Sequence, residues 1–95
     1  MVDTIDLRWE LADVAHVTRH GVSRTQIDDM IDLGFWITTA NPTGDRNRPL
    51  VIGPTGLGRI LTLVAQALDT PGEYVPVACW PSTEKEEAVY WRRVR

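Results

Sequence analysis

Apolar Ile5, Leu7 and Trp9 alternate with Asp6 and Arg8, and this period of two predicts a short half-buried strand. The period then lengthens. Across residues 10–20, Leu11, Val14, Ala15 and Thr18 fall at helical spacing, and after Gly21 a second helix from about Arg24 to Leu33 is expected to bury Ile27, Met30 and Ile31 and to stop at Gly34. From Phe35 the text becomes β-like: Phe35-Trp36-Ile37-Thr38-Thr39 is a strand closed by the turn residues Asn41-Pro42-Thr43-Gly44-Asp45. Leu50-Val51-Ile52 is the next strand, and Gly53-Pro54-Thr55-Gly56-Leu57-Gly58 the next turn, with three glycines open to positive φ. Ile60 to Ala67 is too continuously apolar for one solvated face and reads as the central strand. Asp69-Thr70-Pro71-Gly72 turns the chain into Glu73 to Trp80, where Pro76 lacks a ladder donor and argues for an edge position or a strand end.

The last segment begins after Pro81. Thr83 with Glu86 forms a capping-box pattern, and acids in the first turn with arginines in the last suit the helix dipole. Ala88, Trp91 and Val94 are its expected buried face. The predicted order is β-α-α-β-β-β-β-α: a single α+β domain over residues 1–95, an antiparallel meander with two N-terminal helices and a C-terminal helix packed on it.

Composition narrows the functional classes. The chain has 95 residues, 43% hydrophobic and 24% charged, enough for one modest core. No apolar run approaches the roughly 20 residues of a membrane span, so no membrane partner is expected. The acidic start Met1-Val2-Asp3-Thr4-Ile5-Asp6 lacks the basic and apolar regions of a signal peptide, and Cys79 stands alone, so the expectation is a cytoplasmic protein. The net charge is −3 and the isoelectric point about 5.2, so a polyanion must meet a local basic patch. Arg92, Arg93 and Arg95 form one such set, and Arg46, Arg48 and Arg59 another.

Arg19-His20-Gly21-Val22-Ser23 joins the two N-terminal helices. Gly21 reads as the left-handed residue ending the first, Ser23 as the N-cap of the second with Gln26 completing a capping box, and Val22 as stapling onto Ile27. Neither cap nor staple requires an imidazole or a guanidinium, so Arg19 and His20 carry the functional question.

One cysteine and two histidines exclude a structural zinc site. His16 and His20, at i, i+4, could clamp a metal, but no carboxylate pattern joins them, and neither metal nor cofactor is expected. No Gly-x-Ser-x-Gly elbow is present, the glycine-rich turn lacks the Lys-Ser/Thr of a phosphate loop, and no helix shows the basic face of a DNA reader. RNA cleavage fits what remains. It needs a base for the 2′-hydroxyl, donors for the pentacoordinate phosphate and an acid for the leaving 5′-oxygen. An imidazole, with an ordinary pKa near 6.5, suits base or acid, which nominates His20. Guanidinium forks match phosphate oxygens, which nominates Arg19, Arg59, Arg92 and Arg93, while Tyr90 could stack on a base. Each also has a plainer reading: His20 bonding a carbonyl at a helix end, Arg92 and Arg93 offsetting a helix dipole, Arg59 a solvated strand end, and the tryptophans core.

The order of these signals resembles the BrnT-type toxins of bacterial toxin-antitoxin systems, relatives of the RelE ribonuclease fold. The matching text is Trp9-Glu10, Arg19-His20-Gly21-Val22-Ser23, Val51-Ile52-Gly53, Gly58-Arg59-Ile60-Leu61, Val75-Pro76-Val77-Ala78-Cys79-Trp80 and Glu84-Lys85-Glu86-Glu87-Ala88-Val89-Tyr90, spanning nearly the whole chain. The motifs are short, so their order carries the specificity. The resemblance implies a RelE-like fold and a metal-independent endoribonuclease, with His20 and Arg59 as catalytic residues and Arg19, Arg92, Arg93 and Tyr90 binding RNA. It further implies a cognate antitoxin, of ribbon-helix-helix type, that neutralises the chain in a hetero-oligomer. The chain departs from the family pattern at Trp80, where an Arg ends the last strand, and at Tyr74-Val75, where Ile-Arg begins it. The alternative is a non-catalytic protein-interaction module of the same fold, with Trp36, Trp80 and Trp91 as interface anchors.

Overall fold

The apolar run Ile60–Ala67 forms the central strand, and the sheet is built outward from it in a computed structural model that describes residues 4–95. Residues 1–3, half of the stretch read as lacking a signal peptide, lie outside the described residues. In chain order the elements are β1 (Asp6–Leu7), a 3-10 turn (Trp9–Leu11), α1 (Val14–Val17), α2 (Arg24–Leu33), β2 (Ile37–Thr39), β3 (Leu50–Pro54), β4 (Ile60–Ala67), β5 (Glu73–Pro81) and α3 (Glu84–Val94). The strands form one five-stranded sheet in the order β1-β5-β4-β3-β2. Neighbours from β2 to β5 are antiparallel, whereas β1 lies parallel to β5, pairing Asp6 with Glu73 and Leu7 with Tyr74. The meander therefore covers four strands. The first strand joins from the far edge because α1 and α2 cross the sheet between β1 and β2. The result is a small mixed α+β domain with three α-helices.

Alternation along the strands divides the core in two. Val51, Leu61, Leu63, Ala65 and Cys79 face Val17, Val22, Ile27 and Met30 from α1, α2 and their junction. Leu50 and Ile52 face Tyr90 of α3. Ile27 and Met30 are fully buried, each stabilising the fold by about 1.5–3 kcal/mol relative to an exposed side chain. No helix of the described residues is long and apolar enough to cross a membrane.

Several expectations are corrected. The first helix is a single turn that buries Val17, leaving Leu11, Val14 and Ala15 exposed and Thr18 half-buried. Asp13 sets this register by capping the helix, its carboxylate accepting from the His16 amide, while Trp9 enters the core through the preceding 3-10 turn. The indole N–H of Trp9 donates to Asp28 Oδ1 at 2.8 Å. Pro76 lies in a strand flanked on both sides, but β1 covers only the first two residues of β5. The register passes from Val64↔Ala78 to Ala65↔Pro76, so Val77 is the extra residue of a bulge that accommodates the missing donor.

Of the three turn glycines only Gly58 uses positive φ, at +85°. Gly53 belongs to β3, where a Cβ would stand 2.7 Å from the Trp36 Cα, so its role is close approach. In α3 the expected face points outward: Ala88, Trp91 and Val94 are exposed and Tyr90 is buried. Glu86 and Tyr90, one turn apart, fix that rotation, Glu86 by accepting from Trp80 and Thr62, Tyr90 by donating its hydroxyl to the Phe35 carbonyl at 2.7 Å.

Candidate functional site

The helix junction is fixed before any chemistry is considered. Gly21 has φ +80°, the left-handed geometry that glycine adopts at least cost, but the first helix already ends at Val17 with Thr18 as its C-cap, so Gly21 turns the linker into α2 and does not cap a helix. Ser23 Oγ accepts from the Gln26 amide at 3.1 Å, and Gln26 Oε1 accepts from the Ser23 amide at 3.0 Å, closing the capping box. Val22 and Ile27 are both buried in the same cluster, as a staple requires.

Arg19 sits between the two imidazoles. Its Nε–H donates to His20 Nε2 at 3.0 Å, and its Nη1 lies 3.1 Å from His16 Nδ1. A guanidinium has no acceptor, so both ring nitrogens present lone pairs to it, and the neutral His20 carries its proton on Nδ1 and His16 on Nε2. Arg19 and His20 are exposed and His16 is half-buried. Sequence reasoning weighed His16 only as a metal ligand. The i, i+4 spacing that suggested a clamp also places two imidazoles about one guanidinium at i+3.

One neighbour meets the trio directly. The His20 ring meets Trp80 edge to face, centroids 6.5 Å apart and planes at 89°, across the part of the β5 edge that β1 leaves uncovered. Trp80 is held in turn by Glu86, whose Oε1 and Oε2 accept the indole N–H at 2.9 and 3.3 Å. Glu86 Oε1 also accepts from the buried Thr62 hydroxyl at 3.0 Å. On the α2 side, Arg59 Nη1 donates to Gln26 Oε1 at 3.4 Å, so the side chain that caps α2 also touches Arg59. The Arg59 charge pulls the Cys79 thiol down, but burial dominates and pushes it up to about 12.

The remaining nominated residues lie elsewhere. Tyr90 is 4% exposed, packed with Leu50 and Ile52, and its hydroxyl is engaged, so it offers no face for base stacking. Burial pushes its phenol above the ordinary value. Arg93 Nη2 donates to the Thr38 carbonyl at 3.2 Å and Arg92 Nε to Ala88 of its own helix at 3.4 Å. Thr38, Val51, Leu63 and Cys79 form one rung, which puts the Arg93 anchor three strand spacings, roughly 14 Å, from the strand that carries Trp80. The C-terminal arginines and His20 therefore do not share a pocket.

The concavities divide likewise. A hollow of about 440 Å³ borders the junction, lined by Thr18, Gly21, Ser23 and Gln26 among others. A larger cleft of about 560 Å³ runs between α3 and the β2–β3 edge, away from both histidines. Among the described residues no three His, Cys, Asp or Glu side chains converge as a metal-holding group. No protein-family model, curated protein or solved structure matches this chain.

Proposed function

We propose that this chain is the toxin component of a toxin-antitoxin pair: a RelE-like, BrnT-type, metal-independent endoribonuclease of the cytoplasm, held in check by a ribbon-helix-helix antitoxin in a hetero-oligomer. The observation that carries the catalytic part is the His16–Arg19–His20 arrangement, two imidazole lone pairs on either side of one exposed guanidinium. Cleavage of RNA by internal transfer asks for those groups. Once phosphate has drawn Arg19 away from both rings, His20 in its neutral form takes the 2′-hydroxyl proton, the 2′-oxygen attacks phosphorus, and the bond to the 5′-oxygen breaks with a proton from His16 in its protonated form. The products are a 2′,3′-cyclic phosphate and a 5′-hydroxyl, and no electrons leave or enter. Arg19 holds the non-bridging oxygens by its fork, and Arg59 adds charge from across Gln26. Arg92, Arg93 and Tyr90 have no part in this step.

The experiment is incubation of the purified chain with single-stranded RNA, reading the termini of the fragments. Cyclic phosphate ends are expected, with His20→Ala and His16→Ala each lowering the rate by about 10²–10⁴-fold, the usual range for one proton-transfer group. In cells, growth arrest on expression is expected, relieved by the same variants. Undiminished cleavage in both variants would sink the assignment.

A second reading is favoured by Trp80, which stands where the resemblance expects a phosphate-binding arginine, its indole N–H committed to Glu86. In that reading the chain is a non-catalytic interaction module, intact RNA is recovered from the incubation, and the outward Trp91 is an interface anchor.

A further inference from the structure

The cleft between α3 and the β2–β3 edge pairs an aliphatic lining with unmatched positive charge. Leu50, Ile52, Pro42 and Val89 contribute its apolar surface, and Lys85 and Arg92 line it as well. An adjoining hollow shares Thr39 and Ala40 with it and adds Arg46 and Arg93. Among the described residues none of these four cations is in an ion pair, whereas Arg8, Arg24 and Arg48 each have a carboxylate partner. Of the acids nearby, Glu86, which also lines the cleft, is turned to Trp80 and Thr62, and Asp45, beside Arg46, pairs with Arg48. A chain of net charge −3 thus keeps these cations around an apolar cleft.

We propose that this cleft docks an acidic amphipathic helix of a partner protein. Aliphatic side chains on one face of the helix would fill the cleft, and carboxylates flanking them would meet Lys85, Arg92, Arg46 and Arg93. A helix is favoured over an added strand because Arg93 of α3 already reaches across to the Thr38 carbonyl of the edge strand β2. Protein is favoured over nucleic acid because no aromatic ring lines the cleft to stack on bases. Two copies of this chain meeting through a two-fold axis would set the same cations against each other. The cleft lies apart from the histidines, so this proposal stands or falls separately from RNA cleavage.

The test is amide chemical-shift mapping on the full chain with a synthetic helical peptide of about 16 residues carrying Leu at i, i+3, i+4 and i+7 and Glu on its other faces. Expected are saturable shifts at Leu50, Ile52 and Val89, affinity weakened at least about tenfold by 1 M salt or by Lys85→Glu with Arg92→Glu, and no binding of a scrambled peptide of the same composition. Equal binding of the scrambled peptide, shifts confined to other surfaces, tighter binding of oligouridylate at these residues, or self-association of the free chain through them would each overturn the proposal. The doubly substituted chain keeps its core, since both changes are on exposed side chains.

Discussion

Arg19 places its Nε–H on Nε2 of His20 at 3.0 Å, so the lone pair that would accept a proton is already engaged. A phosphate that draws the guanidinium away also frees the base. Arg19→Ala should therefore remove phosphate binding without removing the base, raising KM for RNA about tenfold while kcat falls much less, whereas His20→Ala should act mainly on kcat. Steady-state kinetics on a short RNA separates the two. Equal losses of kcat in both variants would contradict the relationship.

Local signals were legible in the chain and long-range ones were not. Ser23 with Gln26, Gly34 and Thr83 with Glu86 act within one turn of helix, and each cap forms where its residues predict, whereas the first helix ends early at Val17 with Thr18 as its C-cap and Gly21 turns the linker beyond it. Which face of α3 turns inward is decided by partners far along the chain, Trp80 and Thr62 for Glu86 and the Phe35 carbonyl for Tyr90, and periodicity alone selected the wrong face. The parallel pairing of β1 with β5 is likewise set by where the helices cross the sheet. At the junction, sequence marked Arg19 and His20, but only their geometry shows that His16 shares the same guanidinium and that Arg92 and Arg93 do not reach it.

Glu86 joins three elements, accepting from Trp80, from Thr62 and from the Thr83 amide at 2.8 Å. Glu86→Ala leaves a buried hydroxyl and an indole N–H with fewer partners and should cost about 2–4 kcal/mol in urea unfolding. Thr83→Ala removes only one side of the cap and should cost about 1 kcal/mol. Equal costs would mean that Glu86 matters only as a cap.

Two glycines should differ for separate reasons. At Gly53 a Cβ would lie 2.7 and 2.8 Å from the Trp36 Cα and Cβ, so Gly53→Ala must push β2 from β3 and should cost about 3 kcal/mol or more. At Gly21 nothing lies within 4 Å, and Gly21→Ala should cost only the left-handed backbone, about 1–2 kcal/mol. Denaturant midpoints of the two variants test the order.

Cys79 links stability to alkaline pH. Burial raises its thiol from 9.0 to about 12, so above the unfolded value the unfolded chain ionises while the folded chain holds its proton. The stabilisation is fully present below about pH 9 and is lost as pH climbs toward the folded value, by up to roughly 4 kcal/mol for a shift of this size. Tyr90, whose phenol is also raised by burial, adds to the same alkaline loss. Cys79→Ala should lower stability at neutral pH by opening a small cavity, yet flatten the decline between about pH 8 and 11, leaving the part due to Tyr90. Urea melts across that range distinguish an offset from a slope. An undiminished slope in Cys79→Ala would show that the thiol is not the group that titrates on unfolding.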